Sequence, residues 1–85
     1  MAKRLQDMPN IGEKLARQLL DVGIKDPLQL AEAGSRQAWL RIRAQDPSAC
    51  YMRLCALEGA LQGIRWHDLD AQTKAELKAF YSAHQ

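Results

Sequence analysis

The residues with the clearest capacity for chemistry lie in the turn at 8–12, Met-Pro-Asn-Ile-Gly, and at the start of the helix after it. The first amides of a helix have no partners within the helix and carry partial positive charge. Gly12 has no side chain, so a phosphate oxygen could approach those amides, and Lys14 and Arg17 could add charge. The pattern predicts a DNA-backbone contact at Asn10, Gly12, Lys14 and Arg17, sensitive to salt and independent of base sequence.

The same turn has the features of a helix-hairpin-helix element. Pro9 is expected to end the preceding helix, and Ile11 to fill the gap between the two helices. Residues 10 and 12 are expected to need unusual backbone freedom; Gly12 supplies it, and Asn10 replaces the usual glycine with a residue that tolerates positive φ. Asn10 also adds a side chain, and Glu13 puts a negative charge in the first helical turn. A purely structural or protein-binding corner therefore stays open as the alternative.

A second set of basic residues lies at Arg36, Arg41 and Arg43 on a later predicted helix, with Arg53 on the helix after it. They could form a secondary basic surface near the hairpin, or they could be the solvated face of an amphipathic helix. The net charge of +2 is a weak argument for a polyanionic partner. Residues 1–65 contain ten Lys and Arg against seven Asp and Glu, so an anion-binding surface is expected in this part of the chain.

Other kinds of chemistry have little support. Cys50 and Cys55 suit neither a mutual disulfide nor a zinc site, and both are expected to be reduced core residues. No catalytic-triad, phosphate-loop or metal spacing is present, so we expect no enzyme, catalytic residue, metal, cofactor or small-molecule substrate. No apolar run approaches the ~20 residues needed to span a bilayer, and the N-terminus is polar. A cytoplasmic protein that does not bind membranes is expected.

The elements that would position these residues are all helical. Helix-forming residues dominate, only two residues are Val or Thr, and no stretch alternates with a period of two. The 85 residues suit a single domain at 1–85, with Asp26 and Asp70 as predicted N-caps. Turn residues divide the chain into six predicted helices, at about 2–7, 12–22, 26–34, 35–44, 48–64 and 70–83.

The longest predicted helix, at 48–64, is expected to be central, because it has one apolar face and a second face of small residues. Asp46 and Pro47 are expected to start it. Gly59 and Gly63 each cost about 1 kcal/mol relative to alanine inside a helix. Close approach of another helix is expected to offset that cost.

The order of the helices matches a doubled helix-hairpin-helix domain. The turn at 45–48 would be the second hairpin, and because it has no glycine it is expected to keep the corner without binding phosphate. The predicted fold class is all-α, with five to six short helices of helix-hairpin-helix type (SAM-like or doubled) and an added C-terminal helix.

Several separated motifs resemble the C-terminal domain of the TfoX/Sxy proteins. They are the segments 8–12, 23–24, 38–41 (Ala-Trp-Leu-Arg), 57–60 (Leu-Glu-Gly-Ala) and 66–69 (Trp-His-Asp-Leu), together with Gly63. The resemblance implies a bacterial cytoplasmic protein related to regulators of natural competence and DNA transformation. Those regulators act on transcription with a factor of the catabolite-activator type. They usually carry another domain ahead of this one, so a stand-alone copy without the regulatory role and a fragment of a longer gene both stay open.

Two functional hypotheses follow. In the first, the chain is a non-enzymatic regulatory domain that contacts duplex DNA through the turn without sequence specificity. In the second, it is a protein–protein interaction domain in which the hairpin is only a structural corner.

Overall fold

The structure is a computed structural model that describes residues 4–84, and its regular elements are all helical. Helix α1 spans Glu13–Asp21, α2 spans Pro27–Gln45, α3 spans Tyr51–Gln62 and α4 spans Ala71–Ala83. Single turns of 3-10 helix lie at Leu5–Asp7 and Trp66–Asp68. The all-α class is confirmed. The expected five to six helices are not, because residues 4–84 form four α-helices and two 3-10 turns.

The helix-hairpin-helix type is not confirmed either, because the segment before the turn at 8–12 forms no α-helix among the described residues. The helix predicted at about 2–7 is a single 3-10 turn at Leu5–Asp7, and residues 1–3 lie outside the described part of the chain. The amide of Met8 donates to the carbonyl of Leu5 at 3.0 Å, and the backbone of Met8 is already extended, with ψ of 148°. The residue before a proline avoids helical geometry, so the turn of helix stops there. One 3-10 turn presents little surface for pairing with α1.

Helix α2 contains both the helix predicted at 26–34 and the one predicted at 35–44. Gly34 has φ of 82° and ψ of 160°, outside helical geometry, so α2 consists of two helical segments that meet at a kink, close to the boundary predicted between 34 and 35. Asp26 is its N-cap, as predicted, and accepts a hydrogen bond from the amide of Gln29 at 2.8 Å. A single glycine bends the chain here because helical geometry resumes at the next residue.

Helix α3 begins later than predicted. Instead of capping the helix, Asp46 accepts hydrogen bonds from the amide of Ser48 at 3.0 Å and from its hydroxyl at 2.5 Å. These bonds make a local turn, and the N-cap of α3 is Cys50. Cys50 is exposed, so the expected core position is confirmed for Cys55 alone.

The central position of α3 is confirmed. It packs against α2, α4 and the second 3-10 turn, and its Leu54 is fully buried. Trp39 of α2 is also fully buried, and its ring meets Phe80 and Tyr81 of α4 at centroid distances of 6.1 and 5.6 Å. The Trp39 indole N–H donates to the carbonyl of Cys50 at 3.2 Å. The core therefore fixes the start of α3 against α2 and α4.

Candidate nucleic-acid interface

The turn at 8–12 reverses the chain with Asn10 at its positive-φ position. The amide of Ile11 donates to the carbonyl of Met8 at 3.4 Å, and Asn10 has φ of 69°. A positive φ one residue after a proline is typical of a type II turn. The backbone freedom predicted for residue 10 is confirmed. The prediction for residue 12 is wrong, because Gly12 has φ of −91° and ψ of −172°, an extended conformation open to any residue.

The side chain of Asn10 faces inwards and holds the segment that follows α3. Its Nδ2 donates to the carbonyl of Ile64 at 2.9 Å and to that of Ala56 at 3.4 Å. Its Oδ1 accepts from the amide of Trp66 at 3.0 Å. The carboxamide is therefore engaged in long-range internal contacts.

Gly59 leaves the space that this side chain occupies. A Cβ atom at position 59 would lie 2.6 Å from Asn10 Nδ2 and 2.9 Å from the carbonyl oxygen of Ile64. The close approach predicted at this glycine is therefore real, but it involves Asn10 and the segment after α3 and not another helix. Gly63 has a different role, because it ends α3 as a left-handed C-cap with φ of 76°.

Gly12 is the exposed N-cap of α1. Its carbonyl accepts from the amide of Ala16 at 3.0 Å, and it has no side chain to cap the amides that follow. A Cβ atom at position 12 would meet nothing within 4 Å, so the surroundings of Gly12 are open. The positive end of the α1 dipole is thus accessible from outside.

Two grooves of about 450 and 380 Å³ meet at Gly12. Arg65 lines the first, and Lys14 and Arg53 line the second. Among residues 4–84, these three cations are the only charged side chains that line either groove. The lining residues that the grooves share are Asn10, Gly12, Met52 and Ala56. We call the surface formed by Gly12, Lys14, Met52, Arg53 and Arg65 the turn surface.

Arg53 is engaged in a structural ion pair. Its Nη1 lies 2.9 Å from Oδ2 of Asp46, and both side chains are half-buried. The same carboxylate accepts from Gln18 Nε2 at 2.8 Å. Hydrogen bonds from the Ser48 hydroxyl and from Arg53 hold the pKa of Asp46 well below its usual range, so this carboxylate stays ionised. The charge of Arg53 is therefore largely neutralised within the fold.

Lys14 and Arg65 have no such partner within the described chain. Both side chains are exposed, and within residues 4–84 neither forms an ion pair. They are the free cations of the turn surface, one on α1 and one just after α3.

The structure brings Asn10, Gly12 and Lys14 to the same groove and places Arg17 at another. Arg17 lines a groove that it shares with Glu13 and Asp21. The acidic residue expected to weaken phosphate binding thus lies on the Arg17 side and lines neither groove of the turn surface.

Of the arginines predicted to form a secondary basic surface, Arg53 lines the second groove, but the other three have different neighbours. The guanidinium of Arg43 lies 5.4 Å from the ring centre of Trp39, and that of Arg36 lies 5.9 Å from the ring centre of Phe80. Neither they nor Arg41 lines a groove of the turn surface. Two of the three thus pack on aromatic rings, and a joint anion-binding role for all three stays a prediction.

Arg65 is the free cation of the turn surface that the sequence analysis did not identify as a site residue. It is distant in sequence from Gly12, and it reaches the same surface because Asn10 holds the residues on either side of it. The available signal was Asn10 itself, a side chain where such turns usually have glycine. An asparagine at this position indicates that its side chain makes a contact, but it does not indicate which residue is contacted.

A metal-binding cluster and a membrane-spanning helix are both absent from residues 4–84. This region contains no group of three or more His, Cys, Asp or Glu side chains placed to hold a metal ion. None of its helices combines the length and the apolar character needed to cross a bilayer.

The comparisons with known proteins agree with this architecture. Residues 1–81 match the family model of the TfoX C-terminal domain. Over 75 residues the chain is 39% identical to Protein Sxy of Escherichia coli (strain K12), a match that covers 88% of this chain and 36% of that protein. The chain thus spans about a third of the length of this curated relative.

Two crystal structures from Listeria monocytogenes have the same fold. The triclinic form of an uncharacterized protein has a TM-score of 0.95 and 49% identity, and covers 96% of this chain and 93% of that one. The tetragonal form of a protein of unknown function has a TM-score of 0.93 and 49% identity, and covers 95% of this chain and 99% of that one.

Proposed function

Because the chain belongs to the TfoX C-terminal domain family, we propose that it is a non-enzymatic domain of the competence-regulator type whose turn surface contacts the backbone of duplex DNA. One observation carries this proposal. The charged side chains of residues 4–84 that line the grooves at Gly12 are all cations, and Lys14 and Arg65 are free of ion pairs within that region.

The chemistry of the turn surface suits a phosphate group. The amides at the start of α1 carry partial positive charge, and Gly12 presents no side chain that would keep a phosphate oxygen away. Lys14 and Arg65 contribute charge from two different elements. Such contacts position a protein on the backbone and do not read bases, so binding is expected to be weak, salt-dependent and non-specific.

The wider role that we propose follows from the family relation. In this proposal the domain acts in the bacterial cytoplasm, in the control of competence genes, with a transcription factor of the catabolite-activator type as its partner. The support for this part is the similarity to the TfoX C-terminal domain and to Protein Sxy.

The test is fluorescence anisotropy with a labelled random-sequence duplex over a salt series. We expect binding at low salt, and at least a tenfold loss of affinity in the double variant Lys14→Glu, Arg65→Glu. The matched control is Lys25→Glu with Lys78→Glu, which changes the net charge equally at exposed residues outside the turn surface. Absence of binding at low salt, or an equal loss in both double variants, would rule out the proposed surface.

The alternative function, a protein–protein interaction domain with the turn as a structural corner, is favoured by one observation. Asn10 is committed to internal hydrogen bonds, so the turn has a structural role whether or not DNA binds. An acidic protein segment would suit the same cations. The alternative gains support if the duplex does not bind at low salt while an acidic peptide does.

A further inference from the structure

We propose that Asn10 is the positioning residue of the turn surface and that it acts by fixing Arg65 beside the start of α1. This inference rests on the proposed DNA contact. It adds the interaction that holds Arg65, the second free cation of the turn surface, in place.

Two of the hydrogen bonds of Asn10 go to the residues immediately before and after Arg65 in the sequence. Its Nδ2 donates to the carbonyl of Ile64 at 2.9 Å, and its Oδ1 accepts from the amide of Trp66 at 3.0 Å. One planar carboxamide thus binds the residue before Arg65 and the residue after it. Two bonds of opposite sense fix both the position and the direction of the backbone at Arg65.

Neighbouring backbone contacts complete the fixation. The amide of Ile64 donates to the carbonyl of Gly59 at 2.9 Å, and the carbonyl of Arg65 accepts from the amide of Asp68 at 2.9 Å. The Asn10 carboxamide also packs directly against α3 at Gly59, where a Cβ atom would lie 2.6 Å from Nδ2. The backbone of Arg65 is therefore held on both sides, while its side chain is exposed.

This arrangement reduces the entropy that Arg65 loses on binding. A long side chain on a mobile backbone must order both parts when it meets a phosphate, whereas a fixed backbone leaves only the side chain to order. Asn10 itself needs no contact with DNA for this effect. A glycine at position 10 would keep the turn, since glycine adopts positive φ freely, but would release the segment 64–66.

The experiment is a double-mutant cycle with Asn10→Gly and Arg65→Ala, measured by anisotropy with a random-sequence duplex at one low salt concentration. Each single variant is expected to weaken binding by about three- to tenfold, which is in the range of typical coupling between neighbouring groups. The double variant is expected to bind about as well as Arg65→Ala alone. The parallel cycle of Asn10→Gly with Lys14→Ala is expected to be additive.

A second measurement follows the backbone directly. In ¹⁵N relaxation, the Arg65 and Trp66 amides are expected to lose order in Asn10→Gly, while α1 keeps its order. Where Asn10→Gly does not fold, Asn10→Asp replaces it in both cycles. It keeps the acceptor for Trp66 and loses the donor to Ile64. Because the added charge acts on both cations, the positioning role then requires a coupling to Arg65 that exceeds the coupling to Lys14, and equal couplings overturn it.

The outcomes separate the two proposals. If the wild-type chain binds the duplex but the effects of Asn10→Gly and Arg65→Ala are additive, the positioning role is overturned and the proposed function stands. If the wild-type chain does not bind at low salt, both are overturned.

Discussion

The residue types at positions 10 and 59 depend on each other, because the side chain of Asn10 occupies space that only a glycine at position 59 leaves open. Asn10 combines a tolerated φ of 69° with a carboxamide that reaches Ile64 and Trp66. Gly59 supplies the space, since a Cβ atom there would lie 2.6 Å from Asn10 Nδ2. Glycine inside a helix costs about 1 kcal/mol relative to alanine, and each hydrogen bond contributes about 1 kcal/mol. The bonds of Asn10 are therefore sufficient to offset the glycine.

The substitution Gly59→Ala is expected to lower the free energy of unfolding by about 1–3 kcal/mol, although alanine is the better helix former. The added methyl group would collide with Asn10 Nδ2 and with the carbonyl of Ile64, which lies 2.9 Å from the Cβ position. Urea denaturation followed by circular dichroism measures the change.

Two comparisons test that explanation of Gly59. In the background of Asn10→Gly, the loss caused by Gly59→Ala is expected to shrink, because the Nδ2 atom is gone. Gly12→Ser serves as the control at an open position, and serine is a favoured N-cap, so no loss is expected. Equal stability of Gly59→Ala and the wild type would contradict the steric argument.

At the scale of elements, local capping signals predicted some helix starts and missed others. The aspartates at the starts of α2 and α4 cap as predicted, accepting from the amides of Gln29 and Thr73 at 2.8 and 2.7 Å. Asp46 has a similar local sequence, but its carboxylate binds Gln18 of α1 and Arg53 of α3. The bonds to Gln18 and Arg53 depend on tertiary packing, which the local pattern does not encode, while the bonds from Ser48 form a local turn in place of a helix cap.

The same distinction applies to the turn surface. Asn10, Gly12 and Lys14 were identifiable because turn geometry and the helix dipole are local properties. Arg65 was not, because its position depends on hydrogen bonds between segments far apart in the chain. Arg17 was predicted from its spacing to Lys14, yet residues three apart on a helix can still face different grooves.

The three-way contact of Asp46 is expected to contribute stability that depends on pH. Hydrogen bonds from the Ser48 hydroxyl, then from Arg53, lower the pKa of Asp46 in the folded state. A lowered folded-state pKa stabilises the fold fully above the unfolded value of about 4 and is lost as the pH falls through the folded-state pKa. Asp46→Asn lacks this contribution at every pH. Its deficit in free energy of unfolding is therefore expected to be largest near pH 6 and to shrink towards pH 2.

Urea titrations of the wild type and Asp46→Asn across this pH range measure that difference. Other carboxylates, including the Asp70 cap with its own lowered pKa, are shared by both chains and cancel in the comparison. A deficit that does not change between pH 6 and pH 2 would show that the ionised carboxylate is not the source of the stability.

Gly34 forms the kink between the two helical segments of α2. Its φ of 82° and ψ of 160° lie in a region that is almost exclusive to glycine, and a Cβ atom there would meet nothing within 4 Å. Gly34→Ala is therefore expected to lower the free energy of unfolding by about 1–3 kcal/mol through backbone strain alone. Unlike the loss from Gly59→Ala, this one is expected to be the same with or without Asn10→Gly. Unchanged stability of Gly34→Ala in urea denaturation would show that α2 straightens without strain.

At the scale of the whole molecule, the net charge of +2 gives little indication of where an anion would bind. The cationic side chains differ in the groups that surround them. Arg53 is neutralised by Asp46, Arg36 and Arg43 lie over aromatic rings, and Lys14 and Arg65 remain at the turn surface. Two of these cations lie at opposite ends of the central helix α3: Arg53 is near its start, and Arg65 lies in the segment after its end.

This distribution sets the expected salt dependence of DNA binding. For duplex DNA, the slope of log Kobs against log salt is about −0.9 for each phosphate neutralised. With Lys14 and Arg65 as the free cations of the turn surface, the wild-type slope is expected to be about −2, and Arg65→Ala is expected to reduce its magnitude by about 1. Lys78→Ala, at an exposed position on α4, is expected to leave the slope unchanged. A wild-type slope much steeper than this would mean that further cations bind phosphate, and an equal reduction by Lys78→Ala would mean that the general charge of the molecule, and not the turn surface, attracts the DNA.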